Sequence, residues 1–135
     1  MRKNYVSVMS LAIAVAASGG FVPSGPGHEA IAAEAKLSFK ADVLPVLKNR
    51  CVACHTPGGE GTTASGLDLT TFQGVMTGTK YGPMVIPGNP DYSNLMWLLD
   101  WKASPQLRMP HGKEQLPVSE RDTIRGWIRQ GAKNN

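Results

Sequence analysis

The sequence predicts a small helical domain. Apolar residues recur at helical spacing behind capping residues in four separate stretches, the connections between them are dense in Gly and Pro, and no run has the Val/Ile-rich character of a buried strand. In the first stretch Asp42 is placed to cap a helix with Pro45 in its opening turn, and Val43, Val46, Leu47 and Cys51 fall on one face. Residues 56–66 (TPGGEGTTASG) lack periodicity and read as a surface loop. Leu67 and Leu69 return to the core, and Thr70 or Thr71 caps a short helix through Phe72, Val75 and Met76 that stops at Gly78.

Residues 81–88 (YGPMVIPG) read as extended, pinned by Pro83 and Pro87. Asn89-Pro90 has the form of a helix start, with Leu95, Met96, Leu98 and Leu99 as its buried face. Trp97 and Trp101, four apart, read first as core, with stacking on a bound ring as the alternative. Residues 102–116 are non-helical and contain Met109-Pro110-His111-Gly112. The last helix begins at Ser119, with Asp122 in a variant of the capping box, buries Ile124, Trp127 and Ile128, and ends at Gly131. Pairing of this helix with the first would close the domain.

The N-terminus reads as an export signal. Arg2 and Lys3 precede the apolar run 6–17 (VSVMSLAIAVAA), which is too short to span a membrane, and small-residue cleavage sites follow at Ala30-Ile31-Ala32 and Ala33-Glu34-Ala35. Residues 1–35 are therefore expected to be signal peptide and linker, residues 36–135 the folded domain, and the location periplasmic. Membrane attachment requires an uncleaved signal; the absence of a cysteine after the apolar run argues against a lipid anchor. Residues 1–35 hold two basic and two acidic residues, so the net charge of +4 stays with the domain. That charge is scattered and not interleaved with aromatics, which gives no support to nucleic-acid binding.

The chemistry concentrates in Cys51-Val52-Ala53-Cys54-His55, which contains the only two cysteines of the chain. Two thiols two residues apart, followed directly by histidine, match a c-type haem attachment site: each thiol adds across one vinyl group and the imidazole meets one face of the iron. A thioredoxin-like pair would sit near a βαβ pattern, which the chain lacks. A closed zinc site would need Cys51, Cys54, His55 and His111, and adjacent ligands Cys54 and His55 make that cage awkward. In a domain this small a buried macrocycle would be a large share of the core.

The second face of the iron has five candidates, Met109, His111, Met76, Met84 and Met96, besides an open position. Met109 is favoured, because Pro110 fixes the local chain direction and donates no competing hydrogen bond. His111 stands two residues away in the same loop. Met76 and Met96 lie in helical stretches where packing is the first reading. A methionine ligand would raise the potential relative to histidine and favour electron transfer over ligand chemistry.

Taken together, FKADVLPVL leading into CVACH, then GLDLTTFQGVMTG, VIPGNPDYSNLMWLL, RMPHG and RDTIRGWIRQGA, resemble the small monohaem c-type cytochromes, and within them the planctomycete-type cytochrome c domain, over residues 37–132. The resemblance implies an all-α, cytochrome c-like fold whose N-terminal haem-bearing helix packs on the C-terminal helix. It implies one covalent haem c on Cys51 and Cys54, its iron held by His55 and Met109. His111 departs from the proline or small residue usual after the Met-Pro pair. The expected function is an exported electron carrier, not an enzyme, exchanging electrons with donor and acceptor proteins, as a monomer or as a subunit of a complex. The alternatives are an electron-relay subunit of a larger oxidoreductase, or a haem peroxidase or gas-binding protein with a labile sixth position. The mature chain lacks an acid/base constellation beyond His111, which weighs against independent catalysis.

Overall fold

The cap of the first described helical turn lies four residues before the expected one. In the computed structural model, which describes residues 34–135, Ser38 Oγ accepts the amide of Ala41 at 3.1 Å, and the Ser38 amide donates to the Asp42 carboxylate at 2.7 Å. Asp42 thus belongs to the first turn and Ser38 is the cap: its hydroxyl takes the Ala41 amide while the Asp42 carboxylate takes Ser38's own amide. The apolar run and the first cleavage site of the expected signal lie outside the described residues.

Phe39–Val43 forms one π-helical turn that continues into α1 (Leu44–Arg50). Its wider register, Val43 N to Ser38 O and Leu44 N to Phe39 O, ends where Pro45 offers no amide. The exposed amides at its start are taken by Asn135, whose side-chain oxygen accepts from Phe39 and whose backbone oxygen accepts from Lys40, both at 3.0 Å.

The run read as a loop, residues 56–66, contains a helix, α2 (Glu60–Ser65). No residue of α2 is fully buried, which is why periodicity missed it. Gly66, in the left-handed region at φ 82°, ends it, and Ser65 Oγ donates to Gly61 O at 2.6 Å. α3 (Phe72–Thr77) starts where expected, with Thr71 Oγ1 accepting the Gly74 amide at 3.0 Å, and stops at Gly78.

α4 (Asn94–Leu99) starts later than Asn89-Pro90 suggested. Asn89 and Pro90 form a turn in which Ser93, buried, donates its hydroxyl to Asn89 O at 2.8 Å and accepts the Ile86 amide at 2.9 Å. Ser93 spends its side chain on that turn, and the helix begins after it. A short 3₁₀ turn at Pro105–Leu107 interrupts the stretch read as non-helical. α5 (Val118–Arg129) starts after Pro117, so Ser119 sits inside the first turn and makes no cap. Proline is favoured at a helix entrance because its missing amide would go unpaired there anyway.

All described regular structure is helical. Ile124, Trp127 and Ile128 of α5 are 0–1% exposed, as the periodicity predicted. Trp127 meets Phe39 at 5.4 Å between ring centroids, and Phe39 meets Phe72 edge-to-face at 5.2 Å, joining the N-terminal turn, α3 and α5 in one aromatic cluster. A forked Arg50–Glu120 pair at 2.9 Å links the end of α1 to the start of α5.

Asp100, at the end of α4, is the centre of the tightest ionic cluster in the described residues. Its carboxylate, 7% exposed, accepts from Arg125 at 2.7 Å and Arg121 at 2.9 Å, both on α5. Burial alone would raise its pKa, but the two guanidinium hydrogen bonds outweigh burial and hold the carboxyl below the ordinary carboxylate range. Asp100→Asn should therefore cost about 2 kcal/mol in denaturant unfolding at neutral pH. A depressed carboxyl contributes its full stability above the unfolded value and loses it as pH falls through the folded one, so parent and variant should converge in acid below the ordinary carboxylate range. A gap that persists unchanged into stronger acid would show that the cluster does not carry this stability.

Candidate cofactor site

The end of α1 turns without a break into the Cys51–His55 segment. Cys51 N donates to Leu47 O at 2.8 Å, and Cys54 N and His55 N both donate to Cys51 O, at 3.1 and 2.9 Å. This tight winding places Cys51, half-buried, Cys54, exposed, and His55, 8% exposed, along one wall of a single cavity. The cavity measures about 430 Å³, within the range of about 300–1,000 Å³ usual for cofactor sites. Five leucines are among its other lining residues, Leu67 and Leu69 from the segment after α2 and Leu95, Leu98 and Leu99 from α4, with Arg50, Glu60 and Lys113 as its charged ones.

The His55 ring is oriented from behind. Its Nδ1 lies 3.1 Å from Leu67 O, an oxygen that only accepts, so Nδ1 is the nitrogen that donates and Nε2 is the one left for a ligand. The His55 carbonyl in turn accepts the Leu69 amide at 2.9 Å, so ring and backbone are both tied to the same strand of chain. Thr62 Oγ1 donates to the same Leu67 oxygen at 2.9 Å, which fixes α2 to it as well.

α2 packs on the imidazole through a glycine. A Cβ on Gly61 would stand 2.8 Å from both Cε1 and Nε2 of His55 and 3.0 Å from Cδ2, near-equal distances that place it over the face of the ring. Gly61 N is held by Cys54 O at 2.9 Å, so the close approach is built into the backbone. Sequence reading passed over Gly61 because nothing separates it from Gly58 and Gly59 beside it; only the fold shows which glycine faces the ring.

Met109, half-buried, lines the same cavity from the loop after α4. Its amide donates to Leu98 O at 3.3 Å and its carbonyl accepts from Trp101 Nε1 at 3.0 Å. The Met109–Pro110 peptide bond is cis. Of the other candidates, Met84, buried, and His111, exposed, also line the cavity. Met76 and Met96 are not among its lining residues; Met96 is 1% exposed in the core and Met76 packs against it. The core reading fails for Trp97, which is 48% exposed with the Lys102 ammonium 5.8 Å from its ring centroid.

No group of three or more His, Cys, Asp and Glu side chains among the described residues is gathered to hold a metal ion, and the Cys51 and Cys54 thiols are unbridged. Burial pushes the Cys51 thiol up to about 11, with Glu120 adding to the rise and Arg50 opposing it. A thiol so far protonated at neutral pH is a poor attacking group for disulfide exchange.

The family model described as Planctomycete cytochrome C matches residues 51–111, from the first thiol to the histidine after Met109-Pro110. No curated protein and no solved structure matches the chain. No helix among the described residues is long and apolar enough to cross a membrane. The match supports a planctomycete-type cytochrome c domain over residues 51–111, and a domain of that class suggests haem binding and electron transfer.

Proposed function

We propose that the chain is an exported single-haem c-type cytochrome that passes electrons between redox partner proteins, with Cys51 and Cys54 as the thioether anchors, His55 as the proximal iron ligand and Met109 as the distal one. The observation that carries this reading is the convergence of those four side chains on one leucine-walled cavity. When bound, haem c supplies an iron that cycles between ferric and ferrous states.

The chain's own residues divide the work. Cys51 and Cys54 would hold the group covalently, each thiol giving its sulfur to one vinyl carbon and its hydrogen to the other, with no leaving group. His55 presents Nε2, with Leu67 O holding the opposite nitrogen protonated and making the ring a stronger base. Met109 offers a thioether, a soft neutral donor that favours the ferrous state and so raises the potential. The leucines lining the cavity would lower the polarity around a bound iron, which acts in the same direction. His55 and Met109 would both hold the iron, and with His111, Lys113 and Glu60 as the further titratable groups lining the cavity beside the cysteines and no nucleophile–base pair among them, electron transfer is the chemistry the residues suit. The N-terminal segment 1–35 supplies the route to the periplasm, where such attachment takes place.

The test is the absorption spectrum of the exported protein, ferric and ferrous, with and without carbon monoxide, followed by denaturing extraction. Haem that stays with the polypeptide, a weak long-wavelength sulfur-to-iron band and no response to carbon monoxide are expected. Met109→Ala should keep the haem attached, abolish that band, lower the potential and admit carbon monoxide. A variant with the parent's spectrum and potential would remove Met109 from the iron and bring His111 or Met84 forward.

Gly61→Ala should push the imidazole off its position, since the added methyl meets three ring atoms at 2.8–3.0 Å. The expected result is a yield of haem-loaded protein reduced about tenfold or more. Gly58→Ala, which meets nothing within 4 Å but carries a strained φ of 82°, should cost stability and leave the loaded spectrum unchanged. Equal loading of the Gly61→Ala protein and the parent would show that α2 yields and that the glycine is not required.

A further inference from the structure

Trp101 stands where a glycine is expected. α4 ends in a Schellman arrangement: Lys102 N donates to Trp97 O at 3.1 Å and Trp101 N to Leu98 O at 3.2 Å. The residue between these bonds must adopt the left-handed region, which glycine enters freely and a bulky aromatic does not. Trp101 is held there at φ 58°, one of two non-glycine residues with positive φ in the described chain.

The strained backbone aims the indole along the chain. Trp101 Nε1 donates to Met109 O at 3.0 Å, across eight residues of sequence. Arg108, the residue before Met109, lays its guanidinium 5.4 Å from the centroid of the Trp101 ring and donates through Nε to Ala103 O at 3.3 Å. With Met109 N bonded to Leu98 O, the methionine backbone is fastened at both its amide and its carbonyl to the end of α4. Asp100, the immediate neighbour of Trp101, is locked to Arg121 and Arg125 of α5, so the platform that carries the indole is itself fixed.

We infer that Trp101 is a positioning residue for the distal ligand: its indole N–H holds the Met109 backbone so that the thioether stays presented to the cavity. A helix stop alone would be served better by glycine, and a core filler has no use for a bond to the carbonyl of one particular loop residue. The inference rests on the reading of Met109 as the distal iron ligand.

The experiment uses the haem-loaded, exported protein and follows two signals in guanidinium titration: the sulfur-to-iron band and the far-ultraviolet circular dichroism of the helices. In the parent the two should be lost together. Trp101→Phe keeps the ring and removes the donor; the band should vanish at lower denaturant than the helix signal, and carbon monoxide should bind the ferrous form about tenfold faster. Ile128→Val, in the core of α5, should move both signals together and leave the carbon monoxide rate alone. Should Trp101→Phe load poorly, Trp101→Gly relieves the left-handed backbone: stability kept and the band weakened supports positioning, whereas stability kept and the band intact overturns it. Coincident transitions and a parental carbon monoxide rate in Trp101→Phe also overturn it. A parent without the band, or a Met109→Ala protein that retains it, overturns the ligand assignment and this inference with it.

Discussion

A domain of about a hundred residues that keeps a cavity of about 430 Å³ among its leucines has to be braced from outside that cavity. Part of the volume that would otherwise be filled by side chains is reserved, so the surrounding elements cannot all be held by packing against one another. The described chain solves this with short helices, each fastened at an end by polar bonds. Ser38 and Asp42 close the first turn, Asn135 covers its open amides, Thr71 starts α3, and Asp100 clamps α4 to α5. The aromatic cluster of Phe39, Phe72 and Trp127 is not among the cavity-lining residues, while Leu67, Leu69, Met84, Leu95 and Leu99 belong both to the core and to the cavity wall.

This bracing governs the site. The wall carrying Cys51, Cys54 and His55 is an extension of α1, which the aromatic cluster and the Arg50–Glu120 pair anchor; the opposite side belongs to α4 and the loop that follows it. Groups on the two sides are brought together only by the complete fold. His55 also depends on a carbonyl twelve residues away and on a glycine of a helix with no fully buried residue. An imidazole held this way keeps its tautomer without relying on the group it faces.

What the sequence made legible was whatever is written locally. The CXXCH spacing, the Ile124-Trp127-Ile128 stripe, the Thr71 cap and the stop at Gly78 each lie within a few residues of their partners, and periodicity or capping chemistry reads them directly. Helix starts failed where a residue had a stronger engagement elsewhere: Ser93 serves the Asn89 turn, and Asp42 serves Ser38. α2 was invisible because its inward residue is a glycine, which carries no hydrophobic signal. Trp97 was misplaced because helical spacing marks a face without saying whether anything covers it. The Trp101–Met109 bond had no signature beyond an aromatic in a glycine position, and that position becomes visible only once the helix end is known.

Asp100 has one more consequence, for how α4 comes to exist at all. A six-residue helix is too short to persist alone, and a carboxylate at its C-terminal end faces the negative pole of its own macrodipole, the wrong sign for a cap. Arg121 and Arg125 reverse that sign, since the cluster of one carboxylate and two guanidiniums presents net positive charge to the helix end. α4 is therefore correctly polarised only in the company of α5. The two should appear and disappear as one cooperative unit in native-state hydrogen exchange, carrying one face of the cavity with them.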